Sequence, residues 1–364
     1  MFSITVPIGT VALFLLLAEI VLRFLPVWTG LHTMPVDAEN PISHFAPDRP
    51  FVYSVGWDMH RVVRGRVNNA GFVNDQDYRR DDPLPLLAVV GDSYIEAQTV
   101  PYAETMQGRL ARQSAGKLRV YSFAGSGAPL SQYLIWAAYA VHEYGARAVV
   151  INVVGNDFDE SLLAYKSGAG FWHYAPDSDG VLRLRLVKYQ PGWAVALVRH
   201  SALFRYLVIN LRASYAIFAR RSLIKWLFGI QASAAPNVVG DTDATADPRR
   251  VQDSLAAIDA FFRDIPEKIG LPPRDIMFTV DGFRSAESAE SGRGTYFDLM
   301  RRAFMQKAKA LDYETIDLDT LFVPRHERTG EHFEFPDDHH WNSNGHGVAA
   351  EAVASSKLRA RLPH

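Results

Sequence analysis

The chain of 364 residues contains no cysteine. That single absence removes disulfides, thiolate metal ligands, thiol nucleophiles and a lipidated-cysteine anchor, while leaving the redox compartment open. There is also no excess of charge of either sign. Lys and Arg number 38 against 40 Asp and Glu, a formal net charge of −2, so no global field draws in nucleic acid and none is expected as a partner. The N-terminus is short of basic residues, the first being Arg23. A secretory signal peptide normally opens on basic residues and ends at a small-x-small cleavage site. The stretch Leu25-Pro-Val-Trp-Thr-Gly-Leu-His-Thr-Met-Pro35 offers no such site. No internal repeat is visible.

What is present is a globular composition with a hydrophobic bias, 48% hydrophobic and 21% charged. Met1 to Ala18 carries no charge, and the apolar run continues past Glu19 and Arg23 to Leu25. About 20 such residues cross roughly 30 Å of hydrocarbon. Residues 1–27 therefore read as an uncleaved single-pass anchor, with a cleaved signal peptide as the rival. Glu19 and Arg23, four apart, share one helix face and can pair. Arg23 at the inner end of the span gives a weak vote for a cytoplasmic C-terminal part. Residues 28–84, rich in Pro, Asp and Asn with a turn signal at Asn69-Ala70-Gly71, read as a linker and a small irregular or β segment.

From residue 84 the pattern becomes regular. Short apolar runs at 84–90, 118–123, 146–154, 275–280 and 313–317 predict five strands. Helical patterns at 105–114, 131–144, 251–269 and 296–311 lie between them. This alternation predicts an α/β fold: a three-layer α/β/α domain over 85–350, with a mostly parallel five-stranded sheet and right-handed crossovers. Ligands then bind at the C-terminal strand ends, where Gly91-Asp92-Ser93, Ala124-Gly125-Ser126 and Gly155-Asn156-Asp157 fall. Residues 158–250 interrupt the alternation and predict an inserted helical lid. Its part 193–228 interleaves aromatic and aliphatic residues with Arg199, Arg205, Arg212, Arg220, Arg221 and Lys225, a composition that suits an anionic membrane surface. Residues 351–364 read as a C-terminal tail.

Three motifs bear on chemistry. Ser93 follows a strand and a glycine, next to free backbone N–H groups at a helix start, and is a candidate nucleophile; an ordinary helix N-cap is the plainer alternative. In Asp337-Asp-His-His-Trp-Asn-Ser-Asn-Gly-His346, Asp337 lies three residues before His340 and can hold that imidazole from a single turn. The same histidines and aspartates also allow a metal site, without a clean helical ligand spacing, or a solvated loop. Asn156 at the third strand end can donate to an oxyanion, or merely end the strand. Ala124-Gly-Ser126-Gly-Ala loosely imitates the nucleophile elbow of α/β-hydrolases, but alanines stand in place of its outer glycines.

Taken in order, Gly91-Asp92-Ser93, Ala124-Gly-Ser-Gly127, Gly155-Asn156-Asp157 and Asp337-x-x-His340 resemble the four blocks of the SGNH (GDSL-like) hydrolases, over roughly residues 85–350. Trp341-Asn342 and Gly345-His346 resemble envelope members of that family. The resemblance implies the flavodoxin-like SGNH fold, with Ser93 as nucleophile, His340 as base and Asp337 as its orienter. It further implies an oxyanion hole from the Ser93 N–H, the Ala124 or Gly125 N–H and the Asn156 amide, and no metal or organic cofactor. Ser122 and Ala124 stand where the family usually has Asn and Gly. The resemblance implies ester hydrolysis, with an acylated envelope glycan as substrate and an extracytoplasmic catalytic part. O-acetyl transfer to a polysaccharide, lipid ester or thioester hydrolysis, and a non-catalytic envelope scaffold are the alternatives.

Overall fold

The computed structural model describes residues 5–211, 238–239 and 242–363. The part of the expected membrane-facing stretch at 212–228 lies outside the described residues. A helix α1 (Thr5–Phe24) opens the chain, followed by an antiparallel hairpin of β1 (Arg49–Val55) and β2 (Arg61–Val67). The central strands are β3 (Leu86–Gly91), β4 (Arg119–Ala124), β5 (Ala146–Val153), β8 (Ile276–Val280) and β9 (Glu314–Asp317). Each lies within two residues of the run that predicted it. All pair in parallel, in the order β9-β8-β5-β3-β4.

Alternation along the strands builds the three layers, because successive side chains point to opposite faces. Leu86, Ala88 and Val90 of β3 join one core with Val149 and Ile151 of β5. That core is covered by α4 (Leu130–Tyr144), α8 (Pro248–Ile269) and α9 (Tyr296–Ala310). Leu87, Val89, Ala148 and Val150 face the opposite core, covered by α3 (Met106–Gln113), α10 (Asp319–Thr329) and α11 (Ser343–Ala354). Strands buried on both faces read as unbroken apolar runs, which is why the sheet was legible.

The strand order reverses between β3 and β5, so a crevice opens at their C-terminal ends. Two glycines shape it. A Cβ on Gly91 would lie 2.5 Å from the Ile95 Cγ1, so only glycine lets α2 (Ser93–Glu96) turn back onto the sheet. A Cβ on Gly155 would meet the Thr242 Oγ1 at 2.3 Å and the Phe297 ring at 2.4 Å.

Two features differ from expectation. After the single turn of α5 (Asp157–Glu160) the insertion forms not a helix but a second hairpin, β6 (Trp172–Pro176) with β7 (Leu182–Leu186), docked on α4 and α8. Beyond α5, its described part before α8 is helical at α6 (Trp193–His200), α7 (Ala202–Arg205) and a π-helical turn over Tyr206–Asn210. The limit drawn at 350 falls inside α11, and Leu358 beyond it is buried in the second core, so the C-terminal residues belong to the domain rather than to a tail.

Candidate active site

Ser93 is the first residue of α2, immediately after β3 and Asp92. Asp92 caps the helix, its Oδ1 accepting the Tyr94 N–H at 3.0 Å. As the first helical residue, Ser93 has a backbone N–H with no intrahelical acceptor. Its hydroxyl lies 2.8 Å from the His340 Nε2, across 247 residues of chain. The His340 Nδ1 in turn lies 2.5 Å from the Asp338 Oδ1, which also accepts the His340 backbone N–H at 3.1 Å. A carboxylate on Nδ1 fixes the tautomer that leaves Nε2 as acceptor for the serine proton. Burial raises the Asp338 carboxyl, but the His340 hydrogen bond and the Arg61 charge outweigh it and pull the group down to about 2.

The acid on His340 is therefore Asp338, not Asp337. Residues three apart meet on a single helical turn, the geometry that would have brought Asp337 to His340. Residues Asp338–Trp341 instead form a short strand, in which side chains two apart share a face. Asp337 points elsewhere, to the Arg61 Nη2 at 2.7 Å and the His60 Nε2 at 3.3 Å.

Buried aromatics hold the imidazole from behind. The Tyr94 ring lies 4.8 Å from that of His340, and its hydroxyl donates to the His339 carbonyl at 2.9 Å. Trp341 packs edge-on against Tyr94, and its indole N–H donates to the Asp281 Oδ1 at 2.9 Å. The neighbouring histidines are dispersed: His339 approaches Glu334, His332 lies against His326, and His346 is buried, its Nδ1 accepting the Met106 N–H at 3.3 Å. Burial lowers the His346 pKa to about 3, keeping it neutral. Among the described residues no group of three or more His, Asp or Glu is gathered as a metal site.

Ser93 and His340 open onto a cleft of about 560 Å³ that Asn156, Ser126 and Gly127 also line. Of the expected oxyanion donors, Ser93 and Asn156 border this cleft. Ala124 and Gly125 line a neighbouring cavity of about 270 Å³ instead, and Ser126 and Gln98 stand between the two. The Asn156 side-chain N–H lies 3.3 Å from the Glu160 carboxylate, which also pairs with Lys166.

Ser126, the alternative nucleophile, has a carboxylate beside it rather than an imidazole. Its hydroxyl donates to Glu96 at 3.0 Å and its backbone N–H at 2.5 Å. Glu96 is fully buried, and that burial pushes its carboxyl up to about 6. Ser122, at the position where the family usually has Asn, is a buried anchor for the N-terminal segment. Its oxygen accepts from the Asn74 amide at 3.0 Å, and its carbonyl accepts from the Tyr78 hydroxyl at 2.6 Å.

Sequence reading missed Arg61, Glu96 and Gln98. An arginine opening an amphipathic strand and a polar residue in a helix give no signal of a site; only the fold brings them there.

No protein-family profile matches the chain, and no curated protein does. Solved structures similar to it include the lipase Lip_vut3 from a goat rumen metagenome, at 12% identity over 75% of this chain and 98% of that one, TM-score 0.37. The lipase/acylhydrolase from Enterococcus faecalis is 12% identical over 77% of this chain and 99% of its own, TM-score 0.39. The acetyl xylan esterase AlAXEase is 11% identical over 74% and 98%, TM-score 0.37.

Proposed function

We propose that the chain is a membrane-anchored serine esterase of the SGNH type, with Ser93 as nucleophile, His340 as general base and Asp338 as the acid that orients it. The observation that carries this reading is the unbroken run Asp338–His340–Ser93, at 2.5 and 2.8 Å, at the mouth of the switch-point crevice. The Ser93 hydroxyl attacks an ester carbonyl as its proton passes to the His340 Nε2. The resulting imidazolium is stabilised by the Asp338 carboxylate, which stays ionised throughout. The oxyanion is met by the Ser93 N–H and the Asn156 amide; one such donor is worth about 100- to 1000-fold in rate. His340 then returns its proton to the leaving alcohol, and water releases the acyl group by the reverse sequence.

The first three sequence blocks and His340 of the fourth support the same reading, and the resemblance to envelope members favours an O-acyl group on an envelope glycan, cleaved outside the cytoplasm. Transfer of the acyl group to a sugar hydroxyl would use the same residues up to the acyl-enzyme, and differs only in the acceptor.

The test is hydrolysis of p-nitrophenyl acetate and longer-chain esters by the full chain in detergent, beside Ser93→Ala and Ser126→Ala. Loss of turnover to background in Ser93→Ala alone is expected. Turnover that survives Ser93→Ala, or a wild-type chain that neither turns over nor reacts with a fluorophosphonate, sinks the proposal.

A further inference from the structure

The inner end of α1 is built into the folded body. Glu19 accepts hydrogen bonds from the Ser201 hydroxyl at 2.9 Å, the Ala202 N–H at 3.1 Å and the Leu203 N–H at 2.8 Å, so a side chain of α1 caps α7. Arg23 pairs with Glu19 at 2.8 Å and donates to the His200 carbonyl at 3.3 Å. Leu22 and Val27 are buried with Ala202, and Met59, Leu203 and Tyr206 pack around them. The Tyr206 hydroxyl donates to the Trp57 carbonyl at 2.7 Å, tying the tip of the β1–β2 hairpin to the same joint.

Around this joint large apolar side chains face outward. Phe24 is 85% exposed and Trp57 75%, and Phe204 and Leu207 are exposed as well. Taken whole, α1 is an apolar rod, its window Pro7–Phe24 having mean hydropathy 1.9 and little burial outside the joint. Twenty helical residues span about 30 Å, the thickness of a bilayer's hydrocarbon core. Whatever medium receives the rod must meet α7 and the hairpin tip at its surface, because the start of α7 is hydrogen-bonded to Glu19 of the rod and the tip is tied to the same joint by Met59 and Tyr206. Aromatic residues beside Arg23 and His200 are the composition of a membrane interface.

We propose that α7, the turn at 206–210 and the hairpin tip at Trp57 lie in the headgroup region of the phospholipid bilayer that α1 enters, holding the catalytic cleft at the lipid surface. The hairpin supplies the link. Its tip carries Trp57 and Met59 at the joint, and its next residues, His60 and Arg61, pair with Asp337, one residue from the Asp338 that holds His340. A substrate reaching Ser93 therefore does so beside lipid. The proposal rests on reading α1 as a retained anchor, and its test reads the two apart.

The absence of cysteine permits single labels. Leu13→Cys, Trp57→Cys, Phe204→Cys, Leu207→Cys and Lys309→Cys are each made in the full chain and coupled to an environment-sensitive fluorophore. The proteins are reconstituted in bilayers of phosphatidylcholine with a minority of phosphatidylglycerol, with and without a nitroxide lipid labelled just below the headgroup. Labels at 57, 204 and 207 should emit to the blue and lose most of their intensity to the nitroxide. The label at 309, by the N-terminal end of β9, should do neither. Water-like, unquenched emission at 57, 204 and 207 with a lipid-exposed 13 overturns the docked surface alone. A water-like 13 removes the anchor and the proposal with it. Blue-shifted but unquenched labels mean that a protein surface covers the patch, and this overturns the proposal too.

Discussion

Two adjacent aspartates differ in what they touch, and that difference is testable residue by residue. The Asp338 carboxylate holds the His340 Nδ1, whereas Asp337 sits half-exposed against Arg61 and His60. Asp338→Asn keeps the shape but favours the wrong imidazole tautomer, a change that costs about 10⁴ in kcat in a serine–histidine–aspartate site. Asp337→Asn leaves the His340 bond in place and should cost far less. Steady-state kinetics on p-nitrophenyl acetate separates the two; equal losses would return the role to the pair jointly. Glu96 offers a second test. Its carboxyl is raised by burial from 4.5 to about 6, so the folded chain binds a proton there more tightly than the unfolded chain. Stability is then unaffected below about pH 4.5 and falls as pH rises from there to about 6, by about 2 kcal/mol in all. Glu96→Gln removes the titration. Chemical unfolding at a series of pH values should show this decline in the wild type and a flatter profile in the variant.

At the scale of elements, the β1–β2 hairpin braces the loop that carries the acid. Arg61, nearly buried, donates to Asp337 at 2.7 Å, lies 4.0 Å from the Asp338 carboxylate and stacks 4.0 Å above the Phe335 ring. In the proposed mechanism Arg61 touches no reacting atom and acts by positioning Asp338. Arg61→Ala should lower kcat by up to about 100-fold, the effect of a small misplacement, with KM little changed. Arg61→Lys keeps the charge but loses the planar stacking, and should fall between. A rise in KM with kcat preserved would move Arg61 to substrate binding instead. This brace also marks the limit of what the sequence reveals. The five central strands and four of their helices were legible because burial on both faces writes continuous apolar runs, and helix faces write a 3.6-residue repeat. Ser93 and Asn156 stood out because each follows the end of a central strand, and His340 because aspartates closely precede it near the C-terminus. The choice between Asp337 and Asp338 was not, because it turns on whether four residues are helical or extended. The pairing of Arg61 with a loop 276 residues away leaves no local pattern at all. The hairpin at 172–186 was also hidden: β7 alternates Leu with Arg over only five residues, and the whole insertion 158–250 read as a helical lid.

For the whole molecule, the consequence is that α1, on the proposed reading of it as an anchor, is more than a tether. A tether joined by a loose linker could be exchanged for any other apolar helix, but α1 supplies a cap to α7 through Glu19 and buries Leu22 against Ala202. The strength of that joint sets how firmly the segment 193–211 and the hairpin tip are held relative to the sheet. Glu19→Ala removes the acceptor of two backbone N–H groups and one hydroxyl, and cap losses of this kind cost about 1 kcal/mol. That loss falls on a peripheral segment, so it should appear as local opening rather than as global unfolding. Hydrogen exchange of the full chain in lipid bilayers is the measurement. The amides of Ala202 and Leu203 and their neighbours in 200–210 should exchange about 5-fold faster in Glu19→Ala, while β3, β5 and β8, buried on both faces, keep their wild-type protection. Uniformly faster exchange across the sheet would mean that α1 is part of the global folding unit. Unchanged exchange at 200–210 would mean that Glu19 contributes nothing to the joint, and the anchor would then be a tether after all.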